Sequence, residues 1–92
     1  MSVLIRFAPA SVTAQQYDES IRRLQEAGDF PPEGLAYHVC FGPDDNIRVS
    51  EIWDSREQFE AFGEKLMPVL KDTGIEFSDE PEVYEAHNVD RR

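Results

Sequence analysis

The sequence predicts an α+β fold in which two helices cover one face of a four-stranded antiparallel sheet. Three observations predict it. Apolar residues alternate with the period of a strand over Val3–Phe7, Leu35–Phe41, Ile47–Trp53 and Val83–Val89. Two segments between them carry apolar residues at helical spacing, each behind a capping signal. The resulting order, βαββαβ, is that of two split βαβ units joined by a hairpin, the ferredoxin-like plait.

Each element has a local cause. Val3, Ile5 and Phe7 share one side of the first strand, Leu4 and Arg6 the other, and Pro9 ends it. Thr13 is placed to cap the first helix, with Gln16 completing a capping box and Val12 stapled onto Tyr17. Tyr17, Ile21 and Leu24 form its inner stripe, Asp18, Glu19, Arg22, Arg23 and Glu26 its solvated face, and Gly28 its stop. Asp29–Gly34, with Pro31 and Pro32 adjacent, is a stiff connector. Gly42–Asn46 is a polar turn between two alternating runs, which predicts a hairpin. Ser55 and Gln58 cap a second helix over Glu57 to about Leu70, buried through Phe59, Phe62, Leu66 and Leu70. Pro68 is expected to kink or shorten it, and Gly74 ends the segment. A loop at Ser78–Pro81 precedes the fourth strand, and 90–92 are expected to fray.

At 92 residues the chain is one domain, spanning 1–92. A domain of that size buries only about 60–65% of its unfolded surface, so a partner would add stability. The formal net charge of -10 disfavours nucleic acid and anionic membranes as partners. No apolar run is long enough for a transmembrane helix, and a secretory signal is not expected, since no basic region followed by a long apolar core is present near the N-terminus. A single cysteine, Cys40, fits a cytoplasmic setting.

Two helices cover one sheet face, yet both sides of the strands carry apolar residues. Leu35, Tyr37, Val39 and Phe41 oppose Ala36 and Cys40, and Leu4 opposes Val3, Ile5 and Phe7. So large an uncovered patch calls for a second layer. A homodimer with sheets packed face to face about a two-fold axis is the expected solution.

Ser50-Glu51-Ile52-Trp53-Asp54-Ser55-Arg56-Glu57-Gln58-Phe59 runs from strand into helix. It is similar to the recurring E-x-W-(D/E)-S-x-E-x-F pattern of the dimeric α+β barrel superfamily, in its antibiotic-biosynthesis-monooxygenase group. The likeness covers nearly the whole chain in element order and size. It implies a ligand cavity between sheet and helices of each subunit, lined by Trp53. Members of the group include cofactor-free oxygenases acting on aromatic polyketides, haem-degrading enzymes and small proteins of unknown role. The haem-degrading members use a histidine on the second helix and an asparagine on the first strand. Here Phe59–Met67 holds no histidine, and the first strand offers Arg6 and Phe7. The polyketide oxygenases pair their tryptophan with a strand asparagine, whereas Asn46 lies in the hairpin turn. No cofactor is expected.

The candidate catalytic pair is His38 and Glu51. If the turn pairs Gly42 with Ile47, His38 lies opposite Glu51, Cys40 opposite Val49 and Ala36 opposite Trp53. A carboxylate beside an imidazole fixes its tautomer and raises its proton affinity, as a general base requires. A one-residue slip would instead put Glu51 beside Tyr37 and Val39. The alternative for His38 is a satisfied core or interface residue. Arg6 either pairs with a carboxylate such as Glu51 or Glu85 or binds a ligand carboxylate. Tyr37, Phe59 and Phe62 join Trp53 and Arg6 as candidate pocket residues, with ordinary core packing as the alternative. Cys40 reads as a small buried hydrophobe. His87 has no ligand-spaced companion, so no metal site is expected.

Two functions remain open. One is a binding protein for a small apolar or aromatic molecule near Trp53 and His38; the other is a cofactor-independent monooxygenase. A non-catalytic dimerisation module, its pocket plugged by Phe59, Phe62 and Met67, competes with both. The cavity is what distinguishes them, since an enzyme needs an open pocket of about 300 Å³ or more with convergent polar groups.

Overall fold

The computed structural model describes residues 2–7, 11–77 and 80–90. The elements run β1 (Val3–Phe7), α1 (Ala14–Glu26), β2 (Leu35–Phe41), β3 (Arg48–Trp53), α2 (Arg56–Asp72) and β4 (Glu82–Glu85). The strands form one antiparallel sheet in the order β2-β3-β1-β4, so the predicted plait is the observed fold. Pro9 and the 91–92 end fall outside the described residues, as do Ser78 and Asp79 of the predicted loop.

The first helix start is built as its side chains predict, and the second only in part. Thr13 Oγ1 accepts from the Gln16 amide, and the Gln16 side chain accepts in return from the Thr13 amide, a complete capping box. Val12 and Tyr17 pack in one apolar cluster across this turn, as a staple does. Ser55 caps α2 through the Gln58 amide, but the Gln58 side chain takes the Ser55 hydroxyl hydrogen rather than the backbone one. The helix continues through Pro68 to Asp72, beyond the predicted end near Leu70. Pro68 is exposed, so water can hydrate the carbonyl its missing N–H leaves free. Val69 and Leu70 on the inner side hold the last turns against the core.

β4 is shorter than predicted, ending at Glu85 instead of Val89. Its partner β1 runs out: Val3 pairs with Glu85, and one more bond joins the Ala86 amide to the Ser2 carbonyl. The hairpin tip folds back onto α1. Ile47 donates its amide to Val12, Ala14 donates to Asp44, and Ile47 is buried just before the strand proper.

The core lies between sheet and helices. Val3, Ile5, Leu24, Trp53 and Phe62 form its centre, with Val12, Ile47, Leu70 and Ile75 at the hairpin end. Among the described residues no layer covers the opposite sheet face. Leu4, Val39 and Ile52 are half-buried there, and Tyr37 and Tyr84 are 57% and 52% exposed.

Candidate functional site

The site grows from the β2–β3 ladder. His38 pairs with Glu51 and Cys40 with Val49, as the residue count from the turn predicts. The predicted partnership of Ala36 with Trp53 does not form. A bulge between Leu35 and Tyr37 puts Leu35 opposite Trp53 and turns both toward the helices.

Glu51 sits on the central part of the sheet, with Ile5 on its other side, and is only 4% exposed. Its two oxygens are divided between two donors. Oε1 accepts from Trp53 Nε1 at 3.0 Å, and Oε2 meets His38 Nδ1 at 2.6 Å. The other imidazole nitrogen, Nε2, lies 2.6 Å from the Tyr17 hydroxyl, which arrives from α1. The Tyr17 ring stacks on the imidazole at 5.9 Å, and Phe30 meets it edge-on at 5.5 Å. The result is a single chain, Tyr17–His38–Glu51–Trp53, that ties helix to sheet.

Burial pushes the Tyr17 phenol up to about 12, aided by the neighbouring Cys40, Glu51 and Asp18. It therefore stays a neutral hydroxyl through the physiological range. Burial, with Asp18, also pushes the Cys40 thiol up, which keeps it a small apolar side chain and not a nucleophile.

This chain borders a cavity of about 70 Å³. Phe7, His38, Val49 and Glu51 supply its sheet side; Tyr17, Ser20, Ile21 and Leu24 on α1 and Phe62, Leu66 and Leu70 on α2 supply the helical side. Val12, Phe30 and Ile47, with Ile75 and Phe77, complete the wall. Ser20 is buried but turned away into a small polar cluster with the Gln16 carbonyl and Thr73 Oγ1. Gln16 reinforces that link by donating to the carbonyls of Thr73 and Gly74.

The sequence-predicted pocket residues separate. Phe62 borders the cavity. Trp53 is wholly buried beside it, packed on Phe59 and Phe62 at 5.8 and 5.7 Å, and reaches the chain only through its indole N–H. Phe59 buttresses Trp53 and Phe7 from behind. Arg6 and Tyr37 do not belong to this pocket, because strand alternation points them to the opposite sheet face. Arg6 pairs there with Glu82, its ladder neighbour, at 3.7 Å and not with Glu51 or Glu85. Met67 is 53% exposed on the outside of α2 and plugs nothing. Tyr17 is the participant that sequence reasoning assigned only to helix packing. Its signal is general: a tyrosine on a buried helical stripe needs a partner for its hydroxyl.

No protein-family model matches the chain, and no curated protein matches it. Solved structures do. The structural-genomics protein YJCS superposes with a TM-score of 0.66 at 15% identity, over 95% of this chain and 100% of its own. A protein described as an antibiotic biosynthesis monooxygenase from Chloroflexus aurantiacus J-10-fl matches at 0.63 and 23% identity, over 98% and 96%. SnoaB, a cofactor-independent oxygenase from Streptomyces nogalater, matches at 0.59 and 15%, over 96% and 93%. Among the described residues no helix is long and apolar enough to cross a membrane. Whole-chain superposition and strand order together give this chain the ferredoxin-like α+β fold of the antibiotic-biosynthesis-monooxygenase-like proteins.

Proposed function

We propose that this protein binds a small apolar or aromatic molecule in the cavity beside His38 and Trp53. One observation carries the reading: an apolar cavity between sheet and helices is bordered by the Tyr17–His38–Glu51 chain, whose carboxylate is buried. The cavity is about half the roughly 150 Å³ that admits benzene in an engineered core, so the ligand is compact or the helical side shifts to admit it. Native mass spectrometry of protein purified gently from its host tests this. A reproducible extra mass, lost in Val49→Phe, supports the site. A bare protein whose amide spectrum ignores small aromatic probes would leave only a scaffold packed on its own side chains.

A second reading, a cofactor-independent monooxygenase, draws on one feature. In the tautomer with hydrogen on Nδ1 toward Glu51, His38 Nε2 is a proton acceptor beside the cavity. SnoaB, which shares the fold, is a cofactor-independent oxygenase. In this reading His38 is the base and Glu51 stabilises its cation, while Tyr17 must yield its place on Nε2 to the substrate. Oxygen uptake that vanishes in His38→Ala, with assembly intact, is the expected result. Assembly lost in that variant would instead make His38 a structural residue.

The uncovered sheet face supports self-association as part of the same proposal. Leu4, Tyr37, Val39, Ile52 and Tyr84 form an apolar strip across all four strands. The Arg6–Glu82 pair beside it offers both signs of charge to a two-fold copy of the same face.

A further inference from the structure

We infer that an open groove beside α2 is the mouth of the cavity, with Phe62 as the gate between them. The joined site takes an apolar ring on a short chain that ends in a polar group left in water. This rests on the reading that the cavity binds a small molecule, and it adds the route in and the ligand class.

The groove lies between the connector after α1 and the first turns of α2. Asp29, Pro31 and Pro32 flank it on one side, Gln58, Ala61 and Lys65 on the other. Its volume is about 330 Å³, against about 70 Å³ for the cavity. Phe62 is the one residue that borders both. Phe30 completes the partition: it borders the cavity, while its chain neighbours Asp29 and Pro31 border the groove.

Phe62 is buried and packs on Trp53, so its ring closes the cavity at this end. Swung into the groove, against Pro31 and Pro32, it would leave room for another ring of its own size. That is the volume a single aromatic ring needs and the closed cavity lacks. The next residue is Gly63, in the interior of α2, where an added Cβ would meet nothing within 4 Å. Packing therefore does not require a glycine there, and its cost to the helix leaves α2 weakest beside Phe62.

The two compartments differ in what they offer a polar group. Among the described residues every buried side-chain nitrogen and oxygen already has a protein partner. A hydroxyl carried to the inner end of the cavity would lose its water without replacement. In the groove, Asp29 and Lys65 form an ion pair at 3.3 Å whose side chains are 26% and 62% exposed. A polar end group beside them keeps its hydration.

Two probes that differ by one oxygen test this on the whole protein: 3-phenylpropan-1-ol and its 4-hydroxyphenyl analogue. The analogue carries its second hydroxyl on the end of the ring that enters first. Amide chemical shifts follow binding. The first probe is expected to move Leu24 and Val49 in the cavity and Ala61 and Lys65 in the groove along one saturation curve. The analogue is expected to bind about ten-fold more weakly, and equal affinity overturns the ligand class. Cavity shifts without groove shifts overturn the mouth and leave the cavity reading standing. Groove shifts alone, or none, overturn both.

Exchange rates between free and bound protein read the gate. Phe62→Leu is expected to speed entry about five-fold, because a smaller apolar side chain gives up less burial on swinging out. Leu70→Val, in the cavity wall away from the groove, is expected to leave entry unchanged. Equal acceleration in both variants would mean general loosening and overturn the gate. Gly63→Ala favours the helix in open space, and it is expected to slow entry about five-fold. An entry rate that Gly63→Ala leaves unchanged overturns the gate as well.

Discussion

His38 and Glu51 stand directly opposite one another on β2 and β3, and their side chains close to 2.6 Å between Nδ1 and Oε2. Two functions of one carboxylate meet at that contact. Glu51 orients the imidazole that faces the cavity, and it satisfies the indole N–H of the most deeply buried aromatic in the chain. The candidate site and the core therefore share a residue.

Removing that carboxylate has a cost that packing alone does not predict. Glu51→Ala leaves the Trp53 and His38 donors without an acceptor, at about 1–3 kcal/mol each. Trp53→Ala is expected to cost roughly 3–5 kcal/mol, because the residue is wholly buried and does not border the cavity. Urea unfolding followed by circular dichroism measures both. A Trp53→Ala loss below about 1.5 kcal/mol would show an open pocket around the indole instead of a packed core.

The His38–Glu51 contact is legible in the sequence because a tight turn carries register along its hairpin. Counting outward from Gly42 and Ile47 holds through Cys40 and His38, then fails at Ala36, where the bulge adds one residue that no local signal announces. Past that point Leu35 faces the helices and Tyr37 faces out. The partner of Arg6 could not be counted in the same way, since no tight turn joins β1 to β4. Tyr17 illustrates a different limit. Its helical stripe is plain, but which strand residue receives its hydroxyl depends on how α1 crosses the sheet, and that is set by the whole core.

The Tyr17 phenol makes stability depend on alkaline pH. Its folded-state value is raised from 10.0 to about 12, chiefly by burial and then by Cys40, Glu51 and Asp18. Below pH 10 both states carry the proton and its contribution is complete. Between pH 10 and about 12 the unfolded chain gives it up first, so stability falls as pH rises. Urea midpoints across that interval should drop more steeply for wild type than for Tyr17→Phe, the other tyrosines being common to both. Parallel curves would mean that Tyr17 ionises as freely in the fold as outside it.

Gly34 is the position where the connector, β3 and α2 meet. Its φ of +91° lies in the left-handed region, its carbonyl accepts from the Asp54 amide, and a Cβ there would fall 2.5 Å from Cδ of Gln58. Gly34→Ala combines left-handed strain of roughly 1–2 kcal/mol with overpacking of about 1–3 kcal/mol. It also displaces the side chain that holds the Ser55 cap. A thermal melt should show the loss, and Gln58→Ala in the same background should return the overpacking part only. Full recovery in the double variant would mean that the backbone conformation carries no strain.

The outer sheet face decides how the domain is finished. Ile52 lies at its centre, opposite Tyr37 on one side and Leu4 on the other, with Tyr84 one strand beyond. Ile52→Lys puts a charge in the middle of this strip without touching the cavity or the Tyr17–His38–Glu51 chain on the other side of the sheet. If two copies pack through this face, an unpaired charge there costs several kcal/mol and dissociates them, while each domain stays folded. Sedimentation equilibrium of wild type and Ile52→Lys reads the outcome: a dimer against a folded monomer. A wild-type monomer would mean that the strip stays open to solvent, and a dimer that survives the lysine would place the interface elsewhere. Because Leu4, Ile52 and Tyr84 pair on the same strands that carry Ile5, Glu51 and Val83 inward, an interface here would also stiffen the sheet that holds the imidazole. Ligand binding in Ile52→Lys should then weaken with dissociation, and it should recover at protein concentrations that restore any residual dimer.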